Sequence, residues 1–136
     1  MQQVSSAFIA DPELTKELER LFKPIALGSD RILFHQGDAP TAVFLLRKGA
    51  VTLTRQFDDE AILSVQVSAG SLLGLPAVIG AKPYSLSAQA MEGAELSLVT
   101  REDFVDLMQT APLLSFQVLK VLAEEVRFAR ESLFYV

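Results

Sequence analysis

The side chains of this chain that could do chemistry are few and scattered. It has one histidine, His35, and no cysteine. That removes disulfides, cysteine-ligated iron–sulfur clusters, thiolate zinc sites and a cysteine nucleophile. His35 lies between Phe34 and Gln36, on what reads as a strand close to a turn. A lone histidine there reads as a surface or hydrogen-bonded residue, so neither haem nor zinc is expected; Met91 and Met108 do not alter this. Ser85 and Ser87 have no histidine base at a plausible position, and no Gly-x-Ser-x-Gly elbow occurs. The acidic pairs Asp58-Asp59 and Glu124-Glu125 read as a solvated turn and a solvated helix face. No enzyme is expected. What remains is residues 70–85, GSLLGLPAVIGAKPYS. Its donors are the Ser85 hydroxyl, the Lys82 ammonium and the backbone N–H groups from Gly74 to Ala77, less the one that Pro76 lacks. Lys82, next to Pro83, reads as an exposed turn residue. Leu75, Ala77, Val78, Tyr84 and Leu86 would give a site there apolar walls.

The elements around that stretch follow from two periodicities. Asp11-Pro12-Glu13 is a helix start: an N-cap acid, proline at the first helical position, then an acid near the dipole. Leu14, Leu18, Leu21 and Phe22 follow on one stripe, giving a helix over 12–23 ended by Pro24. Val51, Leu53 and Phe57, then Leu63, Val65 and Val67, alternate with polar residues, so two half-buried strands form a hairpin across Asp58-Asp59-Glu60. Val43 to Leu46 is a continuous apolar run, as in a strand covered on both faces. Residues 85–90 and 95–99 read as further short strands. Thr100 to Asp103 resembles a capping box for a helix over 101–109, and a second helix runs from Pro112 towards the C-terminus. Helix, many short strands, then helices, without βαβ alternation, predicts an α+β fold. That order points to an antiparallel β-barrel or a jelly roll over 25–100. The helices over 12–23 and 101–136 flank it.

With 136 residues the chain is one domain, half of it hydrophobic, 21% charged and with a net charge of −5. That balance disfavours non-specific binding to DNA or to anionic lipid. No apolar run reaches the ~18 residues of a membrane span, and no positive charge opens the N-terminus as in a signal peptide, so a cytoplasmic protein is expected.

Two segments together carry a family resemblance: ILFHQGD over 32–38 with VFLLRKGAV over 43–51, and residues 70–85. They resemble the strand–Gly-Asp–strand pattern and the phosphate-binding cassette of the cyclic nucleotide-binding domain of the Crp/Fnr superfamily, across roughly 14–136. The resemblance implies an antiparallel β-roll of the jelly-roll type, a cupin-like double-stranded β-helix, that senses a small molecule and reports through a long C-terminal helix. In nucleotide-binding members, a glutamate follows the glycine that matches Gly74, and an arginine precedes the serine that matches Ser85. Here Leu75 and Tyr84 hold those places. A cyclic phosphate buried without a countercharge is costly, so binding of cAMP or cGMP is not expected. Gly74, Leu75, Ala77, Lys82, Tyr84 and Ser85 are the candidate ligand-site residues. Leu75 and Tyr84 are expected to fill the nucleotide's space, and Tyr84→Arg with Leu75→Glu to restore some affinity. Pro83-Tyr84-Ser85 is more similar to the cassettes of the fumarate-nitrate and nitric-oxide-responsive regulators. One departure is the aspartate Asp30 at a turn position usually held by glycine, where it would take the left-handed conformation.

Leu119, Leu122, Val126, Ala129 and Leu133 recur at heptad spacing, while Leu114, Val121, Phe128 and Tyr135 mark another face. Glu124, Arg127 and Glu131 fall away from the seam. Members of the family dimerise through this helix, so a parallel homodimer through that seam is expected. In DNA-binding members the helix leads to a helix-turn-helix module, and no basic recognition helix occurs in the 136 residues. The expected reading is therefore a stand-alone sensor or part of a longer regulator, not binding DNA by itself. The alternative is a degenerate domain that serves only for dimerisation or protein interaction.

Overall fold

The structure, a computed structural model, describes residues 3–60 and 62–134, with the side chains of 4–60 and 62–131. In chain order its elements are β1 (Gln3–Ser5), α1 (Pro12–Leu21), β2 (Lys23–Ile25), β3 (Ile32–Phe34), β4 (Ala42–Lys48) and β5 (Ala50–Gln56). There follow β6 (Ile62–Ser68), β7 (Leu72–Leu73), α2 (Leu75–Gly80), β8 (Ser87–Ala90), β9 (Glu95–Thr100), α3 (Arg101–Thr110) and α4 (Pro112–Phe134). One sheet has the order β1-β6-β5-β8-β3 and the other β2-β9-β4-β7. This is the predicted β-roll with flanking helices.

Strand β4 shows why its sequence is apolar without a break. Ala42, Phe44 and Leu46 point into the core between the sheets, while Val43 and Leu45 point into a second core under the helices. Leu14 and Leu18 of α1, Phe104 of α3 and Val118 and Val121 of α4 complete that second core. Each fully buried large side chain contributes on the order of 1.5–3 kcal/mol, so the helices are held to the sheet by several such increments. Strands β5 and β6 pair antiparallel over their whole lengths, with Phe57 C=O accepting from Glu60 N–H at 3.0 Å in the turn.

The structure differs from the expectations at six local points. Helix α1 ends at Leu21, because Phe22 turns extended and Pro24 enters the edge strand β2, where its missing N–H costs no ladder bond. Leu21 is 41% exposed, off the buried stripe. The left-handed residue of the 28–31 turn is Arg31, not Asp30, whose carboxylate accepts from Ile32 N–H instead. The strand expected over 85–90 starts at Ser87, and residues 75–80 of the cassette form the short helix α2. The roll also has one parallel pairing, β1 with β6, that the pattern of the N-terminus did not suggest.

Candidate ligand site beneath the C-terminal helix

The two segments that carry the resemblance meet at Tyr84. Its main chain bonds the 35–38 turn in both directions, N–H to Asp38 C=O at 2.9 Å and C=O from Gly37 N–H at 2.8 Å. Its ring stacks on Phe34 with centroids 3.9 Å apart and planes 13° apart. Its hydroxyl donates to Ala42 C=O at 2.7 Å and accepts from the N–H groups of Ala42 and Thr41 at 3.0 and 3.2 Å. The phenol thus completes the start of β4, and the side chain is almost wholly buried. Gly74, at φ 95°, caps α2 in the left-handed region. A Cβ there would meet the Tyr84 ring at 3.0 Å and Ala42 O at 3.1 Å, so glycine is needed both for the turn and for the approach of Tyr84.

Between the five-stranded sheet, the cassette and α4 lies a cavity of about 100 Å³. Gly74, Ala77, Tyr84 and Ser85 of the candidate residues line it, as does Leu86. Leu75, Val78 and Lys82 do not. Leu75 and Val78 are fully buried in the other core, on the far side of α2, and Lys82 is exposed in the turn that follows. From α4, Phe128 closes the cavity with an edge-on contact to Phe8 (5.8 Å), and Ala129 and Glu125 complete the lid.

Two charged wall residues escaped the sequence reading. Glu125 is only 4% exposed, its Oε1 has no hydrogen-bond partner, and burial pushes its carboxyl pKa well above the ordinary 4.5. The expectation of a solvated Glu124-Glu125 pair therefore holds for Glu124 and fails for Glu125. The signal was present: Glu125 stands four residues after Val121 and three before Phe128, on the body-facing stripe. Arg55 is the second. It occupies the inward register of Val51 and Leu53 on β5, its Nε is buried without a partner, and its guanidinium lies 5.1 Å from the ring centroid of Phe57, just past the strand.

His35 is exposed in a turn rather than on β3, its Nδ1 3.6 Å from the Asp38 carboxylate. Among the described residues no group of three or more histidines and carboxylates is placed to hold a metal ion.

On α4 the two faces separate. Val121 is buried and Phe128 packs against the core between the sheets, whereas Leu119 and Val126 are 53% and 46% exposed. Leu122 is half-buried against the chain's own second core, and Ala129 is exposed at the cavity rim. Leu133 lies outside the residues whose side chains are described, and Tyr135 outside the described residues. Phe116, 59% exposed, extends the outward stripe.

The double-sheet roll, its cassette and the helix that lids it define a cyclic nucleotide-binding domain. The family model of that description matches residues 25–111, well over half the chain, which therefore belongs to the family, within the Crp/Fnr group. The cyclic AMP receptor protein of Thermus thermophilus is 32% identical over 99 residues, covering 71% of this chain and 45% of that protein. The transcriptional activator protein anr of Pseudomonas aeruginosa is 27% identical over 124 residues, 90% of this chain and 49% of that one. The chain thus spans about half the length of these curated relatives. The crystal structure of Thermus thermophilus catabolite activator protein superposes with a TM-score of 0.76 at 27% identity, over 92% of this chain and 59% of that chain. Among the described residues no helix is long and apolar enough to cross a membrane.

Proposed function

We propose that the chain is a non-enzymatic, cytoplasmic sensing domain that binds a small effector in the cavity under α4, needs no resident cofactor, and reports through that helix. The observation that carries this reading is the cavity itself: it is walled by the cassette on one side and by Glu125, Phe128 and Ala129 of α4 on the other. An occupant there contacts both the sensing loop and the output helix. The names of the two relatives, a cyclic AMP receptor and a transcriptional activator, support a regulatory role. Tyr84 argues against cyclic AMP, the ligand that the first relative's name gives. The place of the phosphate-pairing arginine holds a buried phenol bonded to the main chain, and Lys82 stands outside the cavity. Calorimetric titration with cAMP and with cGMP is expected to show no binding tighter than about 100 μM. A one-site isotherm in the low micromolar range would refute that.

The second reading, a module for association alone, draws on the packing of Tyr84, which fills part of the site. The cavity that remains beside it favours sensing.

Either reading is served by a homodimer through α4. Phe116, Leu119 and Val126 form an outward apolar stripe on that helix, a liability in a monomer and a seam in a two-fold pair. Val126→Glu sets like charges across the axis and, because Val126 is half exposed, leaves the β-roll folded. Sedimentation is expected to show the unaltered chain as a dimer at tens of micromolar and the variant as a monomer. A monomeric unaltered chain, or a variant that unfolds, contradicts this.

A further inference from the structure

The cavity under α4 has an almost wholly apolar wall that includes Phe8, Phe34, Leu53, Leu63, Val65 and Leu73. Into that wall are built two polar groups whose buried atoms bond nothing: Arg55 Nε and Glu125 Oε1. An orphaned buried polar atom carries an uncompensated desolvation cost, and neither side chain is needed to close the fold, since leucine would fit either pattern. We infer that the cavity takes a small, mostly apolar monocarboxylic acid, its carboxylate held by Arg55 and Glu125 and its hydrocarbon part by the sheet. This deepens the proposed sensing function and rests on it.

The chemistry selects this class by elimination. At about 100 Å³ the cavity is below the ~300 Å³ at which drug-sized pockets begin. It approaches the ~150 Å³ of an apolar cavity that takes benzene. A nucleotide or an oligosaccharide does not fit, and the apolar walls would leave a polyol's hydroxyls unbonded. An amine would bring a cation beside the fixed charge of Arg55. A carboxylate reverses each of these penalties. Arg55 supplies a donor and the opposite charge, a pairing for which the guanidinium is suited. Glu125, whose protonated form is favoured by burial, adds an O–H donor to the same anion. One ligand group thereby satisfies both orphaned wall groups. It also bridges β5 to α4, so occupancy is felt by the helix that carries the outward stripe.

Benzoate, benzyl alcohol and benzylamine share one ring and differ in the group they present. Titrated into the full chain near neutral pH, with binding followed by calorimetry and by the methyl NMR signals of Leu53, Leu63 and Ala77, benzoate is expected to bind one per chain. It should bind at least about tenfold tighter than benzyl alcohol, with benzylamine weakest. In Arg55→Leu the preference for benzoate over benzyl alcohol should fall to within about twofold. Glu125→Gln, which keeps a donor, should retain most of it. If benzyl alcohol binds as well as benzoate, or benzylamine binds best, the acid class is wrong while the cavity remains a ligand site. If none of the three shifts the cavity methyls of the folded protein, the inference and the sensing function fall together. The three-ligand comparison on the unaltered chain stands whether or not the variants fold.

Discussion

Tyr84→Ala is expected to remove at least about 4 kcal/mol of folding stability. Truncating a buried aromatic side chain costs roughly 3–5 kcal/mol. The same change takes the bonding partner from the N–H groups of Thr41 and Ala42 at the entry to β4, and a buried donor left unbonded costs a further ~1–3 kcal/mol. Against a total of about 5–15 kcal/mol for a domain, the variant should be largely unfolded in mild urea. Tyr84→Phe keeps the stack on Phe34 and loses only the hydroxyl, so its cost should lie near ~1–3 kcal/mol. Equilibrium urea titration of the three proteins checks the order. A Tyr84→Ala variant as stable as Tyr84→Phe would mean that the stack on Phe34 adds nothing. The same geometry changes the expectation for Tyr84→Arg with Leu75→Glu. Leu75 is fully enclosed by the second core, with Leu14 and Leu18 among its members, so a glutamate there meets hydrocarbon rather than a ligand. That pair of changes should unfold the chain rather than restore nucleotide binding.

Much of the fold was legible because each face of each strand has its own period. The unbroken apolar run of β4 and the alternation of β5 and β6 follow directly from whether one or both faces are covered. The pairing of β1 with β6 was not legible. Three residues carry too little pattern to mark a strand, and a parallel edge partner is chosen by the sheet that receives it. The helix α2 was hidden inside the cassette for a similar reason: six residues hold no amphipathic period, and the side that Leu75 and Val78 present is set by the neighbouring α1 and α3.

The site was half legible. The resemblance pointed to Gly74, Ala77, Tyr84 and Ser85, which do line the cavity, and also to Leu75 and Lys82, which do not. A motif fixes which loop approaches a ligand; the rotation of a six-residue helix decides which of its side chains arrive. Arg55 and Glu125 were overlooked through the opposite bias. Charged residues are read as solvated by default, which suits Glu124, Arg127 and Glu131. Yet Arg55 shares the two-residue period of Val51 and Leu53, and Glu125 shares the face of Val121 and Phe128. A charge in phase with an apolar stripe is the signal, and here it marks the wall of the cavity.

Glu125 also gives the chain a pH dependence whose sign is fixed by its burial. Desolvation alone raises its pKa above the ordinary 4.5, so between that value and the raised one the folded state holds a proton that the unfolded state has released. Stability from this group is then full below about pH 4.5 and declines as pH rises, by up to ~1.4 kcal/mol per unit, until the raised pKa is passed. Ionisable groups on the elements around it do not cancel this. Arg55, across the cavity, has its buried Nε unbonded to any carboxylate, and Tyr84 is engaged with the main chain of β4. Glu125→Leu removes both the titration and the orphaned oxygen. It should stabilise the chain near neutral pH by ~1–3 kcal/mol and by progressively less as pH falls towards 4.5. The exposed carboxylates contribute equally to both proteins, so the difference between their urea midpoints across pH 4.5–8 isolates Glu125. A constant difference would show that Glu125 reaches water in the folded state. A difference that shrinks once benzoate is added, at fixed pH, would show the same carboxyl engaged by the acid it is inferred to hold.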